Sequence, residues 1–492
     1  MARAARSAGA GDGSPGGGTD TIEAVVFEGR ASQRIDLTKA APFGWGTAIL
    51  LGGVGMVDRI DSSLVGGAYD ILKKHFHFND LVGGVLLAAP VWASLLLVIP
   101  AGIIADRKRR TTFIAAVTAS WGLLTFGAAL APTLAAFFVA RILLGAATPL
   151  NIPSSSSIVG DLYPSTSRVK AFGILRAMEF LGLPLGVALG GVAAAGLGWR
   201  GAFALMGVPA LVVAAIVAVK IREPRRGVGD EISAEIDARA GDDAVPVDTA
   251  TSIRALPDTD LPDDVALRSL DGGDEDPIGV VERVRQVFSI RSARYIVLGQ
   301  AFLFAGFSGL FSFAASFFHR THGIEEGKAA ALVGSIGLLT LIAGAAYVIG
   351  RRGRVQDIRG GRRVNLPAQC FVVSVVSVAV IAAVNILAVQ LLAFAALNIA
   401  NIIAITNLGA AIADVIPANK RGSGFAVTQF CLTIGAGCGS IIVGFGSFVA
   451  GDQIRWGIAA LVIPLFIGTV LIFRARASYP ADAAKVLEAA MS

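Results

Sequence analysis

The sequence predicts an all-α polytopic membrane protein, with twelve transmembrane helices arranged as two pseudo-symmetric six-helix bundles. Three observations carry that expectation. Of the 492 residues, 54% are hydrophobic and only 16% are charged, against about 45–50% and about 25% in an ordinary soluble domain. Apolar stretches of helix length recur along nearly the whole chain, and several short motifs return about 250 residues later.

A hydrocarbon core about 30 Å thick needs about 20 helical residues to cross it. Stretches of that order lie at 44–69, 81–103, 111–131, 133–158, 170–196, 200–221, 292–317, 328–350, 364–384, 387–413, 423–449 and 456–474. Lipid cannot satisfy backbone N–H and C=O groups, so these stretches must be helical, and they are too long for β-barrel strands. Residues 1–40 begin "MARAARSAGAGDGSPGGGTD", too poor in large apolar residues for a signal peptide, and read as a flexible cytoplasmic tail. Residues 41–222 form the first bundle. Residues 223–290 then interrupt the apolar pattern; within 230–282 sixteen acids face three arginines, the composition of a solvated cytoplasmic linker. The second bundle spans 291–476, and 477–492 forms a cytoplasmic C-terminal tail.

Orientation follows from the basic residues of the short loops. Fourteen Lys and Arg fall in the loops after spans 2, 4, 8 and 10, and six in the opposite loops. Both termini are therefore expected in the cytoplasm and the protein in the plasma (inner) membrane. Cys370, Cys431 and Cys438 all lie within predicted spans, where free cysteine behaves as a small hydrophobe, so no disulfide framework is expected. The formal charge of +6 reflects basic loops beside anionic lipid and not nucleic-acid binding.

The two halves repeat. Asp161, Pro164 and Arg168 in "DLYPSTSR" are matched by Asp414, Pro417 and Arg421 in "DVIPANKR", 253 residues later, and Gly182 and Gly186 by Gly435 and Gly439 at the same offset. Gly102 and Asp106 in "GIIADRKRR" pair with Gly353 and Asp357 in "GRVQDIRGGRR". Duplicated bundles are the architecture of secondary transporters, in which two similar halves rock about a central site. "GIIADRKRR" resembles the signature loop of the major facilitator superfamily, with Gly102, Asp106, Arg107 and Arg110 in place and Arg109 where glycine is usual. The resemblance implies that family's fold over residues 41–476. It also implies a gating role for this loop and its partners Asp161, Arg168, Gly353, Asp357, Asp414 and Arg421, the arginines meeting acids of the opposite bundle while the cytoplasmic side is shut. A plain topogenic cluster explains the arginines but not Gly102 and Asp106.

Span 5 contains Gly173, Gly182, Gly186, Gly190 and Gly191 in "GILRAMEFLGLPLGVALGG", similar to the antiporter motif of the same family, except that Val187 stands at the proline position and Pro184 precedes it. Small residues that merely let two helices approach closely would look the same.

Span 1 reads "MVDRIDSS" at 56–63. A charge at the bilayer centre costs about 2.5–3.5 kcal/mol on insertion scales and is normally kept for a pair, a cavity or a pathway. On a helix Asp58 and Asp61 lie about 60° apart and share a face, with Arg59 on the flank. A surface loop beginning after Val57 would leave span 1 too short to cross. The Asp-Arg pair is similar to that of the organic anion:cation symporters and the Spinster-like lysolipid transporters, whose span 2 also opens with a sequence like "HFNDLVGGVLLAAP". That resemblance implies that Asp58 takes up and releases a proton and that Arg59 holds an anionic group. Those branches carry a glutamate in span 4 where this chain has Ala147 and Thr148, so Asp61 or Glu179 would have to supply a second titrating group.

Arg141 is expected to contact substrate and resembles the span 4 arginine linked to proton coupling in family antiporters, or it snorkels to the outer surface. Arg176 and Glu179, at i and i+3, line the substrate path or neutralise each other. Asn398, Asn401 and Asn407 in "NIANIIAITN" contact substrate or join helices. His75, His77, His319 and His322 fall in outer loops, where exposure, pH sensing and metal binding are all open.

The function expected is secondary active transport by alternating access, coupled to protons, of a small organic anion or anionic amphiphile. A proton-coupled multidrug efflux pump and a non-transporting sensor are the alternatives. Nucleophile elbows, zinc motifs and P-loops have no match, so an enzyme is not expected. The partners are a small-molecule substrate and membrane lipid, with a monomer, no cofactor and the proton as coupling ion.

Overall fold

The computed structural model describes residues 21–24, 26–27, 33–36, 41, 43–107, 109–233, 236, 280–350, 362–416 and 421–491. Ten of its helices are long and apolar enough to cross a membrane. The eleventh span is α1, Gly46–Gly67, whose apolar run is broken by three charged residues. The twelfth is hidden in α7, Ser165–Lys220, which turns at Gly198 (φ 71°, ψ 162°), a left-handed backbone that glycine adopts without strain. The two expected spans at 170–196 and 200–221 thus meet at a single hinge residue.

A short helix α2 (Tyr69–Phe76) links α1 to α3 (Asp80–Arg107), which is followed by α4 (Arg110–Ala129). Span 4 is broken. Helix α5 (Leu134–Ala147) tightens into a 3₁₀ turn at Thr148–Leu150 and resumes as α6 (Asn151–Leu162). Pro149 lacks the N–H that a straight helix needs there. The second half comprises α8 (Val280–Ser289), α9 (Arg291–His322), α10 (Glu326–Gly350), α11 (Arg362–Ala383), α12 (Leu387–Val415), α13 (Arg421–Val449), α14 (Ile454–Ala460) and α15 (Val462–Met491).

The duplication is visible in the packing. A side chain on Gly182 or Gly186 would run into the Met56 or Ile60 carbonyl of α1, and one on Gly435 or Gly439 into the Ala301 or Ala305 carbonyl of α9. Helix α1 therefore packs along α7 as α9 packs along α13, through glycines at the same offset. With no hydrophobic drive between helices in lipid, such close approach supplies the dispersion contact that holds the bundle.

Three expectations about the polar segments change. Residues Thr21–Ala24 and Gln33–Asp36 of the expected flexible tail pair as an antiparallel hairpin, β1–β2. Val26 and Ile35 are buried with Ile221, Val228 and Ile232, and the Arg225 N–H donates to the Val26 carbonyl at 2.8 Å. The expected linker is ordered at both ends, at 223–233 and in α8, and residues 237–279 lie outside the described residues. The expected C-terminal tail continues α15, because buried Tyr479 donates from its hydroxyl to Asp414 at 2.5 Å.

Candidate functional site

Three charged side chains of the first bundle converge at the α1–α7 seam, and a fourth, Asp58, lies beside them. Arg59 lies on the flank of α1 that faces α7, and its Nε and Nη2 donate to Glu179 Oε1 at 3.1 and 2.6 Å. Arg176, one turn earlier on α7, donates from Nη1 to Oε2 of the same carboxylate at 2.7 Å. Asp58 faces span 4 instead, accepting from the Thr148 hydroxyl at 2.8 Å. The 3₁₀ turn at Pro149 presents that hydroxyl. Asp58, Thr148, Asn151, Ser155, Arg176 and Glu179 are among the residues that border a cavity of about 20 Å³, room for roughly one water.

Asp61 and Arg141 do not join them. Arg141, 1% exposed, donates from Nη1 to Asp61 Oδ2 at 2.9 Å and from Nη2 to the Asp61 carbonyl at 3.0 Å, and Thr125 donates to Asp61 Oδ1 at 2.8 Å. The 60° between Asp58 and Asp61 is enough to send one toward the cavity and the other into the seam with α4 and α5. Asp61, expected in proton coupling, and Arg141, expected at the substrate, instead form a buried ion pair inside the bundle in this structure. Arg176 and Glu179 do neutralise each other, but Glu179 binds Arg59 as well.

In α12, Asn398 and Asn401 are 5% and 1% exposed and donate their amides to the Phe394 and Leu397 carbonyls of their own helix at 2.7 and 2.8 Å. Asn407 donates likewise to Ile403 at 2.8 Å.

At the end of the bundle that carries the termini, Arg110 is 3% exposed. It donates to Asp161, to Glu223 Oε1 at 2.7 Å, to the Ser157 hydroxyl at 2.7 Å and to the Pro224 carbonyl at 2.9 Å. The Gly227 N–H donates to Asp161 at 3.0 Å, and Arg168 donates to Asp230 at 2.5 Å. In this structure the partners of Arg110 belong to its own bundle and to the start of the linker. Although burial opposes its ionisation, the Thr111 amide, the Arg110 guanidinium and the Thr111 hydroxyl hold the Glu223 carboxyl below the ordinary glutamate range near 4.5. A depressed value contributes stability above that range and loses it as pH falls through the folded value. The thermal-stability gap between wild type and Glu223→Gln, present at pH 7, should therefore close on acidification below about 4.5; a gap unchanged down to pH 3 would remove Glu223 from this role.

The second bundle repeats the pair. Arg363 grips Asp414 at 2.7 and 2.6 Å, and each residue stands 253 after Arg110 and Asp161. Gly102, Asp106 and Arg107 lie on α3 with side chains outside the described residues; so does the side chain of Arg421, and Gly353 and Asp357 lie outside them entirely.

Of the span 5 glycines, Gly182, Gly186 and Gly190 admit α1, and Gly191 admits Ala330 of the other half, while Gly173 has open space around it. Close packing accounts for four of the five.

At the opposite end, sequence reading missed a cluster that joins the two halves. Asp80, 0% exposed, accepts from Arg320 at 2.8 and 3.1 Å, from Lys73 and Ser447 at 2.6 Å each and from the Tyr69 hydroxyl at 3.0 Å. Arg320 also binds Asp70 at 2.8 and 2.6 Å, and Asp452 takes the Asp80 N–H and Lys73, both at 3.1 Å. Asp70, Lys73 and Asp80 come from the first half, and Arg320, Ser447 and Asp452 from the second. Their separations of 240 to 379 residues carry no local signal. The Arg363–Asp414 pair, by contrast, could have been read from the 253-residue offset, and Thr148 from its place in the span 4 run.

Among curated proteins the chain is similar to "Probable anion transporter 3, chloroplastic" of Oryza sativa subsp. japonica, 30% identical over 196 residues, 39% of this chain and 36% of that protein. It is also similar to "Probable galactarate/D-glucarate transporter GudP" of Bacillus subtilis (strain 168), 24% identical over 185 residues, 36% of this chain and 40% of that protein. These matches span about two fifths of the relatives' length. Among solved structures, a bacterial homolog of the human lysosomal transporter Spinster, inward-facing and occupied, aligns with a TM-score of 0.64 at 19% identity, covering 90% of this chain and 97% of that one. A D-xylose-proton symporter aligns with a TM-score of 0.59 at 16% identity, covering 88% and 96%. These likenesses establish the fold. The family model described as Major Facilitator Superfamily matches residues 51–440, most of the chain, and with the duplicated bundles it identifies this protein as a membrane transporter belonging to the major facilitator superfamily.

Proposed function

We propose that this transporter moves a small organic anion by alternating access, coupled to protons through Asp58. The observation that carries the reading is the convergence of Arg59 and Arg176 on one carboxylate beside Asp58, within the membrane span. Guanidinium forks match carboxylate geometry and stay charged, so they select anions. Transporters of anions and of hexarates among its relatives support the same substrate class. Thr148 in place of a second acid leaves Asp58 as the one carboxyl of this cluster not paired with arginine.

Basic loops at the end that carries the termini favour placing that end in the cytoplasm of a plasma-membrane protein. On that orientation, the Asp80–Arg320 cluster shuts the outer side, and the conformation is inward-facing. Rocking of the bundles would break this cluster and bring the basic loops of the two halves together. Multidrug efflux loses its main support, because helix packing accounts for most of the span 5 glycines.

In proteoliposomes, an inward pH gradient should drive D-glucarate accumulation by the wild type. Asp58→Asn should abolish that accumulation while leaving counterflow exchange intact, and Arg59→Ala should lose anion-induced thermal stabilisation. Accumulation by Asp58→Asn at the wild-type rate, or stabilisation by cationic drugs that survives Arg59→Ala, would overturn the proposal.

A further inference from the structure

Glu179 has an arrangement that plain charge neutralisation does not require. One carboxylate oxygen is held by Arg59 of α1 and the other by Arg176 of α7, so the group bridges two guanidiniums as a bound ligand would. The exposures are unequal: the two arginine side chains are 32% and 47% exposed, but Glu179 is 13% exposed. Both arginine side chains are thus more exposed than the anion that they hold between them. The room left beside Glu179 and Asp58 is about 20 Å³. A bound carboxylate is larger than one water, so it fits only if something leaves.

We infer that Glu179 is a built-in surrogate for the substrate's carboxylate. It occupies the two-arginine seat in the empty transporter and is displaced when the anion binds. The inference rests on the anion reading above and deepens it by naming the seat and the residue that competes for it. Any carboxylate that takes the seat must compete with a tethered group at high effective concentration. That competition costs every such anion the same factor, and a dicarboxylate's second anionic end, free to reach other donors, adds affinity independently of Glu179.

The competing role is a positioning one, in which Glu179 holds the arginines in place for the ligand. The two roles predict opposite signs. A seat that is occupied most of the time lowers apparent affinity by the fraction of time it is free. Removing the competitor should tighten binding, whereas removing a positioning group should weaken it.

The test is binding of D-glucarate and of gluconate to purified wild type, Glu179→Gln and Glu179→Asp, read by calorimetry. Glutamine keeps the shape without the charge. Aspartate keeps the charge but is one methylene too short to bridge both arginines. The inference predicts D-glucarate affinity raised on the order of 10–100-fold in Glu179→Gln. It also predicts a smaller gain in Glu179→Asp, and in each variant a gain for gluconate of the same fold as for D-glucarate. If Glu179→Gln does not fold, the sign in Glu179→Asp decides. Weaker or unchanged binding in the variants, with binding by the wild type, overturns the surrogate role and leaves the anion reading standing. No binding of either acid by any of the three proteins overturns both. Binding by Glu179→Gln alone supports the surrogate role in its strongest form.

Discussion

Arg141→Ala should unfold well below the wild-type melting temperature. The substitution strands Asp61 inside the first bundle with only the Thr125 hydroxyl as a side-chain partner. Removing one member of a buried ion pair costs about 3–5 kcal/mol, and a loss of that size lowers Tm by on the order of 10 °C in a chain of this size. Neutralising both partners is a different matter, since no uncompensated charge remains buried. The Asp61→Asn/Arg141→Gln double variant should melt closer to wild type than Arg141→Ala, the coupling that a double-mutant cycle isolates. It should also keep anion-induced stabilisation, because neither residue borders the cavity. Thermal unfolding of the purified variants by intrinsic tryptophan fluorescence, with and without D-glucarate, decides the matter. A folded double variant that no longer responds to anions would return Arg141 to the substrate path.

The second large effect is conformational. Arg320→Ala removes a side chain that binds both Asp70 and Asp80, and with it a main tie between the halves at their far end. Lys73 and Ser447 stay on Asp80, so the loss falls near the lower limit for a buried pair, about 3 kcal/mol. That shifts a two-state equilibrium about 100-fold toward the state open at that end. Ser440 sits in the closed seam against Gly84, with its hydroxyl 3.3 Å from that of Ser312. A Ser440→Cys reporter, in a background with Cys370, Cys431 and Cys438 replaced, should react with an impermeant thiol reagent at least 10-fold faster when Arg320→Ala is added. Equal rates would mean that the seam is held by packing alone.

The fold was legible because lipid leaves few choices. Length and apolarity locate helices with little help from tertiary structure, and the 253-residue offset carries the symmetry of the two bundles. What escaped were breaks and extensions within those runs. The Gly198 hinge, the 3₁₀ turn at Pro149 and the continuation of α15 past Arg474 depend on where neighbouring helices make room. The site was half legible. "MVDRIDSS" announces buried charge, but a helical wheel cannot tell which neighbour each charge meets, and so Asp61 and Arg141 look functional until their pairing is seen. Arg59 and Glu179, 120 residues apart, become partners only because glycines let α1 and α7 touch.

The glycine-lined packing has one more consequence, and it is electrical. Met56 and Ile60 stand against α7 where Ala301 and Ala305 stand against α13, and that register sets Asp58, Arg59 and Asp61 opposite Leu303, Phe304 and Gly306. The charge therefore sits in one half alone, as three carboxylates (Asp58, Asp61, Glu179) and three guanidiniums (Arg59, Arg141, Arg176). With all six ionised the moving core is neutral. The membrane potential, worth about 2.3 kcal/mol per elementary charge per 100 mV, then exerts no net force on the return of the empty carrier. Any voltage dependence enters with the cargo and the proton it travels with.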